Sequence, residues 1–184
     1  MTIMKDSLSD NDLKSKLFVV NEEGYGEDYK KHLLEQYKLC LEMADKNSSR
    51  RSTANNFFLS VNTVLLTATG ILSRVGPSSV TFNLLWVVMT SFAGILFCWT
   101  WLVTIKCYRD LSEAKFRVIN AIERRLPAAA FEVEWTCLNP ENRTAKYLQL
   151  TRVERYVPIV LAVLYLVLML IGIVSAAYLF LAKN

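Results

Sequence analysis

The chain has 184 residues, 53% of them hydrophobic, with 21 Lys and Arg against 17 Asp and Glu and a net charge of +4. That hydrophobic share exceeds the ordinary soluble range, and the apolar residues are clustered rather than spread. A single histidine and four cysteines without CxxC spacing give no metal-site pattern. The cysteines fall inside apolar runs or on the side expected to be reducing, so no disulfide is expected.

Residues 1–26 are polar, carry no apolar signal-peptide core, and read as a mobile N-terminal segment. A helical pattern follows, with Leu33, Leu34, Tyr37, Leu41 and Ala44 recurring at spacings of three and four. No Pro or Gly interrupts the chain between 27 and 69. The expectation is a cytoplasmic helix over 27–54 that runs into a first transmembrane span over 55–74.

Val80–Ile105 and Val157–Ala182 contain no Asp, Glu, Lys or Arg. A helix rises about 1.5 Å per residue, so roughly 20 residues cross the hydrocarbon. Three spans are therefore expected: 55–74 and 80–106 as a hairpin joined by Gly76-Pro77-Ser78-Ser79, then 157–181 followed by a short external tail.

Between them, 107–156 reads as a cytoplasmic helical region. Leu111, Ala114, Val118 and Ile122 form an apolar stripe that Pro127 ends. "AAAFEVEWTCL" reads as extended. Asn139-Pro140-Glu141 reads as the cap of a helix over 140–155.

Nine Lys and Arg precede the first span and ten lie between the second and third, while the two other connections hold one each. Basic residues stay on the cytoplasmic side, so the N-terminus is inside and the C-terminus outside. The fold class is an all-α membrane protein, three transmembrane helices per subunit with a cytoplasmic helical bundle. The basic surface suits anionic lipid headgroups, and topology control is the simpler explanation of the charge.

No catalytic motif occurs, so an enzyme, a catalytic residue and a cofactor are not expected, and nothing suggests nucleic acid. No Asp, Glu, Lys, Arg or His lies at depth in the spans, which argues against a proton relay. The first span does carry amides and hydroxyls. Asn55, Asn62 and Thr69 are spaced by seven, and Asn56, Ser60, Thr63 and Thr67 follow at three and four. Both sets are read as one polar side, which avoids lipid and faces a pore or a neighbouring subunit. Arg50 and Arg51 are read as a basic belt at the cytoplasmic mouth.

Three blocks, "EQYKLCLEMADKNSSRRSTANNFFLSVNT" (35–63), "YRDLSEAKFRVINAIERRLPAAAFEVEW" (108–135) and "KYLQLTRVERYVP" (146–158), resemble the RipA-like family of bacterial octameric inner-membrane proteins. The resemblance implies a homo-octamer in the bacterial cytoplasmic membrane. It implies no settled activity and names no protein partner.

Two functions are then expected: a ring-shaped pore, or a non-conducting scaffold whose cytoplasmic helices bind partners. Glu42, Asp45, Glu123 and Glu134 are candidates for ion pairs between subunits, against Arg50, Arg51, Arg109 or Arg124.

Overall fold

The computed structural model describes residues 9–75, 80–138 and 150–183. The expected 76–79 turn, the 139–141 cap and most of the expected 140–155 helix lie outside these residues, as does the start of the N-terminal segment. Six helices follow in order: α1 (Asp10–Leu17), α2 (Glu22–Tyr25), α3 (Tyr29–Val75), α4 (Val80–Glu123), α5 (Ala130–Leu138) and α6 (Leu150–Lys183). No strand occurs among the described residues.

The helices form where the sequence supplies starts and omits breakers. Ser9 caps α1 by accepting from the Asp12 backbone N–H at 3.2 Å. α3 has no proline, and its one glycine, Gly70, lies in its last two turns. The expected helix and first span are thus one uninterrupted helix. The same holds for α4, which continues the second span through 107–123 without a break. α6 passes through buried Pro158, which deletes one intrahelical hydrogen bond. A packed span tolerates that loss where a soluble helix tends to kink.

The chain divides into two compact units, and the division falls within α3 and α4. The first unit holds residues up to Ser48 and Asp110–Tyr147. Its core includes Leu33, Ala44, Ile119, Ala121 and Ile122. Ile122 of the expected stripe is buried, whereas Leu111 at the stripe's start is exposed. The second unit holds Ser49–Arg109 and Leu148–Asn184. Phe58, Trp101, Ile105 and Leu161 cluster there, with the Phe58 and Trp101 rings stacked at 5.8 Å.

"AAAFEVEWTCL", expected to be extended, is instead largely α5. Two of its first-turn N–H groups find a carboxylate at the end of α4, and that capping stabilises the short helix.

Three helices contain stretches long and apolar enough to cross a membrane: in α3, α4 and α6. Only 17% of each apolar window is buried within the chain. The remaining apolar surface matches hydrocarbon or neighbouring spans, because exposing it to water would be strongly unfavourable.

Candidate functional site

The most ordered polar arrangement lies inside the second unit, on the face of α3 that carries Asn55, Asn62 and Thr69. Asn55 Oδ1 accepts from the Trp101 indole N–H at 2.9 Å. Asn62 is 0% exposed. Its amide donates to the Phe58 carbonyl at 2.8 Å, and its Oδ1 accepts from the Cys98 thiol at 3.6 Å. The Tyr165 hydroxyl of α6 donates to the Asn62 backbone carbonyl at 3.2 Å. The Thr69 and Thr90 hydroxyls meet at 3.1 Å, and each also reaches a carbonyl of its own helix. In hydrocarbon these groups have no water to turn to, so internal partners decide whether the helices stay together.

In this unit two buried groups of α4 are exceptions: Trp86 Nε1 and Ser91 Oγ have no hydrogen-bond partner among the described residues.

Close approach makes this core possible. Gly94 of α4 faces the ring of Tyr165, which is 1% exposed. A methyl group at Gly94 would overlap that ring. Gly172 of α6 allows a second approach, since a Cβ there would sit 3.0 Å from Val88 Cγ2.

The expected single polar side is two faces. An α-helix turns about 100° per residue, so Asn56 points well away from Asn55. Asn62 and Thr69 are buried within one chain, and Asn55 is half-buried. Asn56, Ser60, Thr63 and Thr67 are exposed. Thr63 and Thr67 satisfy their hydroxyls on carbonyls one turn back, at 2.9 and 2.8 Å. Such back-bonded threonines lie against lipid at little cost.

The paired arginines also separate. Arg51 is half-buried and ion-paired with Glu154 of α6, which joins two spanning helices near their polar ends. Arg50 is exposed.

In the first unit, Glu123 ends α4 at 1% exposure. Its Oε1 accepts from the Tyr37 hydroxyl at 2.9 Å and from the Phe131 N–H at 3.1 Å, and its Oε2 accepts from the Glu132 N–H at 3.2 Å. Glu123 therefore ties α3 to α4 and caps the N-terminus of α5, where the helix dipole also favours a negative charge. Burial, with the bond to Glu123 adding to it, pushes the Tyr37 hydroxyl up to about 12. Tyr37 stays a donor throughout the physiological range.

Around this node Asn47 donates to Ser112 Oγ at 2.8 Å. The Arg125 guanidinium lies 3.3 Å from the Phe18 ring centroid and donates to the Tyr29 hydroxyl at 2.8 Å.

The other expected ion-pair residues sit apart from this node. Glu42 pairs with Lys46 one turn along its own helix at 2.7 Å. Asp45 and Glu134 are exposed and Arg109 is half-buried. From the sequence alone, Glu123 is a candidate for an ion pair between subunits. The missing cue is α5: once 130–138 is a helix, a carboxylate just before Pro127 is a natural cap.

Arg124 grips both Glu132 oxygens, at 3.0 and 2.8 Å. That guanidinium holds the Glu132 carboxyl below its usual range. A carboxyl lowered in the folded state contributes stability above its unfolded pKa, and the contribution is lost as pH falls through the lowered value. Replacing Arg124 with glutamine is expected to flatten part of the acid-side loss. Thermal melts by circular dichroism between pH 7 and pH 3 check this.

Long apolar helices, a buried polar core between them and close glycine contacts together define a multi-pass helical membrane protein. The chain belongs to the octameric membrane protein family (8xMP), whose sequence model matches residues 34–174. No curated protein and no solved structure matches it. The family match covers both units, including α5 and its cap.

Proposed function

We propose that this protein is a non-conducting, self-assembling membrane scaffold rather than a pore or an enzyme. The observation that carries the reading is the fate of Asn62. The residue expected to line an axis is fully buried and bonded within a single chain. With Asn55 and Thr69 likewise engaged, the deep amides and hydroxyls of that face tie α3 to α4 within one subunit. The family's octamer then multiplies the first unit into an array of eight platforms. Glu42, Asp45, Arg109 and Glu134 are the charged groups we assign to contacts on those platforms, with Glu123 acting inside the subunit.

We place the first unit in the cytoplasm of a bacterium, with the spans in its inner membrane, because the basic residues concentrate before the first span and between the second and third. The narrower RipA-like resemblance supports the same location.

One observation favours the pore reading: the exposed Asn56, Ser60, Thr63 and Thr67 share a face of α3. If eight copies turned that face to a common axis, it would line a polar channel.

Asn62→Leu, in the purified oligomer reconstituted in planar bilayers, discriminates. The scaffold reading expects no conductance from the wild type. It expects the variant to lose about 1 kcal/mol of bundle stability, the usual scale of a buried hydrogen bond between spans, with no new current. An intact oligomer whose ion leak changes with Asn62→Leu would overturn it.

A further inference from the structure

The separation of Arg50 from Arg51 leaves a positive charge unaccounted for. Arg51 is neutralised by Glu154. Arg50 has no carboxylate partner among the described residues and stands at the edge of an open groove of about 420 Å³. Ser49, Arg50, Thr53, Ala54, Phe57 and Tyr108 line it.

The order of these residues matters. Ser49, Arg50, Thr53, Ala54 and Phe57 follow one face of α3 at helical spacing. Along that face the chemistry changes from a guanidinium and a hydroxyl to a methyl group and a phenyl ring. Phe57 is 57% exposed. It lies beyond Arg51, the last charge before the apolar run. Tyr108 of α4 forms the opposite wall, an aromatic with a polar tip, which is the side-chain type that favours a bilayer's interfacial zone.

We propose that this groove holds the phosphate of one anionic phospholipid per subunit, with an acyl chain running along Ala54 and Phe57. The Arg50 fork and the Ser49 hydroxyl supply donors to the phosphate oxygens. Thr53 donates to the Ser49 carbonyl at 3.1 Å and contributes chiefly shape. A planar guanidinium binds two phosphate oxygens at once, which an ammonium does not. A zwitterionic lipid offers the same phosphate with its own cation attached, so it competes poorly for a lone Arg.

The test uses the full-length oligomer in neutral detergent, with native mass spectrometry and thermal melts reading the binding of dioleoyl phosphatidylglycerol. Dioleoyl phosphatidylcholine and inorganic phosphate serve as separate probes. Phosphatidylglycerol is expected to saturate at about one molecule per chain and to raise the melting temperature more than phosphatidylcholine does. Arg50→Gln is expected to weaken phosphatidylglycerol at least about fivefold, the scale of one Arg at a lipid surface. Arg155→Gln removes another exposed charge outside the groove and should change binding less than twofold. Phe57→Ser should weaken the lipid and leave inorganic phosphate unaffected.

Equal losses in Arg50→Gln and Arg155→Gln would mean diffuse attraction and overturn the site. Equal stabilisation by phosphatidylcholine would overturn the anionic selectivity. Inorganic phosphate matching phosphatidylglycerol, with Phe57→Ser silent, would assign the groove to free phosphate and overturn the lipid. Size-exclusion chromatography checks that Arg50→Gln keeps the oligomer; a variant that loses it would assign Arg50 to a subunit contact and overturn the lipid site.

Discussion

Glu123→Ala is expected to be the most damaging single substitution in the first unit, lowering stability by roughly 3–5 kcal/mol. Three donors converge on this carboxylate: the Tyr37 hydroxyl and the N–H groups of Phe131 and Glu132. Removing the acceptor leaves them to water or to nothing, and each buried donor left without a partner costs about 1–3 kcal/mol. Water reaches half-buried Tyr37 and recovers part of that cost.

α5 loses its cap at the same time, which is worth about 1 kcal/mol in other helices. The loss should therefore appear first in α5. Protection of the Phe131 and Glu132 amides in hydrogen exchange should collapse while the spans stay protected. Glu123→Gln keeps one carbonyl oxygen and turns an NH2 toward donors, so it should fall between alanine and the wild type. Tyr37→Phe should cost least, since it removes one donor and leaves the cap in place. If Glu123→Ala leaves α5 protection unchanged, the capping role is wrong.

In the spans, the corresponding position is Gly94. Gly94→Ala is expected to cost about 2–3 kcal/mol, the upper part of the range for overpacking a well-filled interior. The added methyl meets the face of the Tyr165 ring, and a ring is rigid. Tyr165 must move, and moving it breaks the bond to the Asn62 carbonyl. The consequence is therefore transmitted to α3, although Gly94 lies on α4.

A second substitution tests the cause. Tyr165→Ala alone leaves a cavity, but in its presence Gly94→Ala has nothing to strike. The double variant should be more stable than the sum of the singles by about 1–2 kcal/mol, a coupling typical of residues in direct contact. Unfolding by sodium dodecyl sulfate, followed by tryptophan fluorescence, measures all four proteins. Additive losses would mean that the ring and the glycine do not meet.

Both positions bear on the scaffold reading. Glu123 organises the platform that partners would contact, and Gly94 organises the bundle that anchors it.

Much of this architecture was legible in the residue order. Charge-free runs at 80–105 and 157–182 state their own environment, because a span needs only length and apolarity to declare itself. The absence of breakers between 29 and 69 was equally plain, although it spoke for one long helix rather than a helix and a span. The seven-residue spacing of Asn55, Asn62 and Thr69 showed that they share a face.

The spacing did not show what that face meets, although at about 100° per residue it did place Asn56 and Ser60 off it. A face is a property of one helix, whereas burial is a property of several. The same limit applied to α5, which is too short to declare itself by periodicity and depends on Glu123 from another helix.

Sequence alone thus determined the class of this protein: helical, multi-pass and without charge at depth. These follow from local composition, since each residue's transfer into hydrocarbon is decided where it stands. Only the tertiary structure decided what the polar residues do. Asn62 became an internal tie, Glu123 a cap, Arg51 half of an ion pair and Arg50 an exposed charge. The first three of those roles depend on partners 8 to 103 residues away along the chain, and hydrogen bonds and ion pairs are set by distance in space, which residue order does not contain.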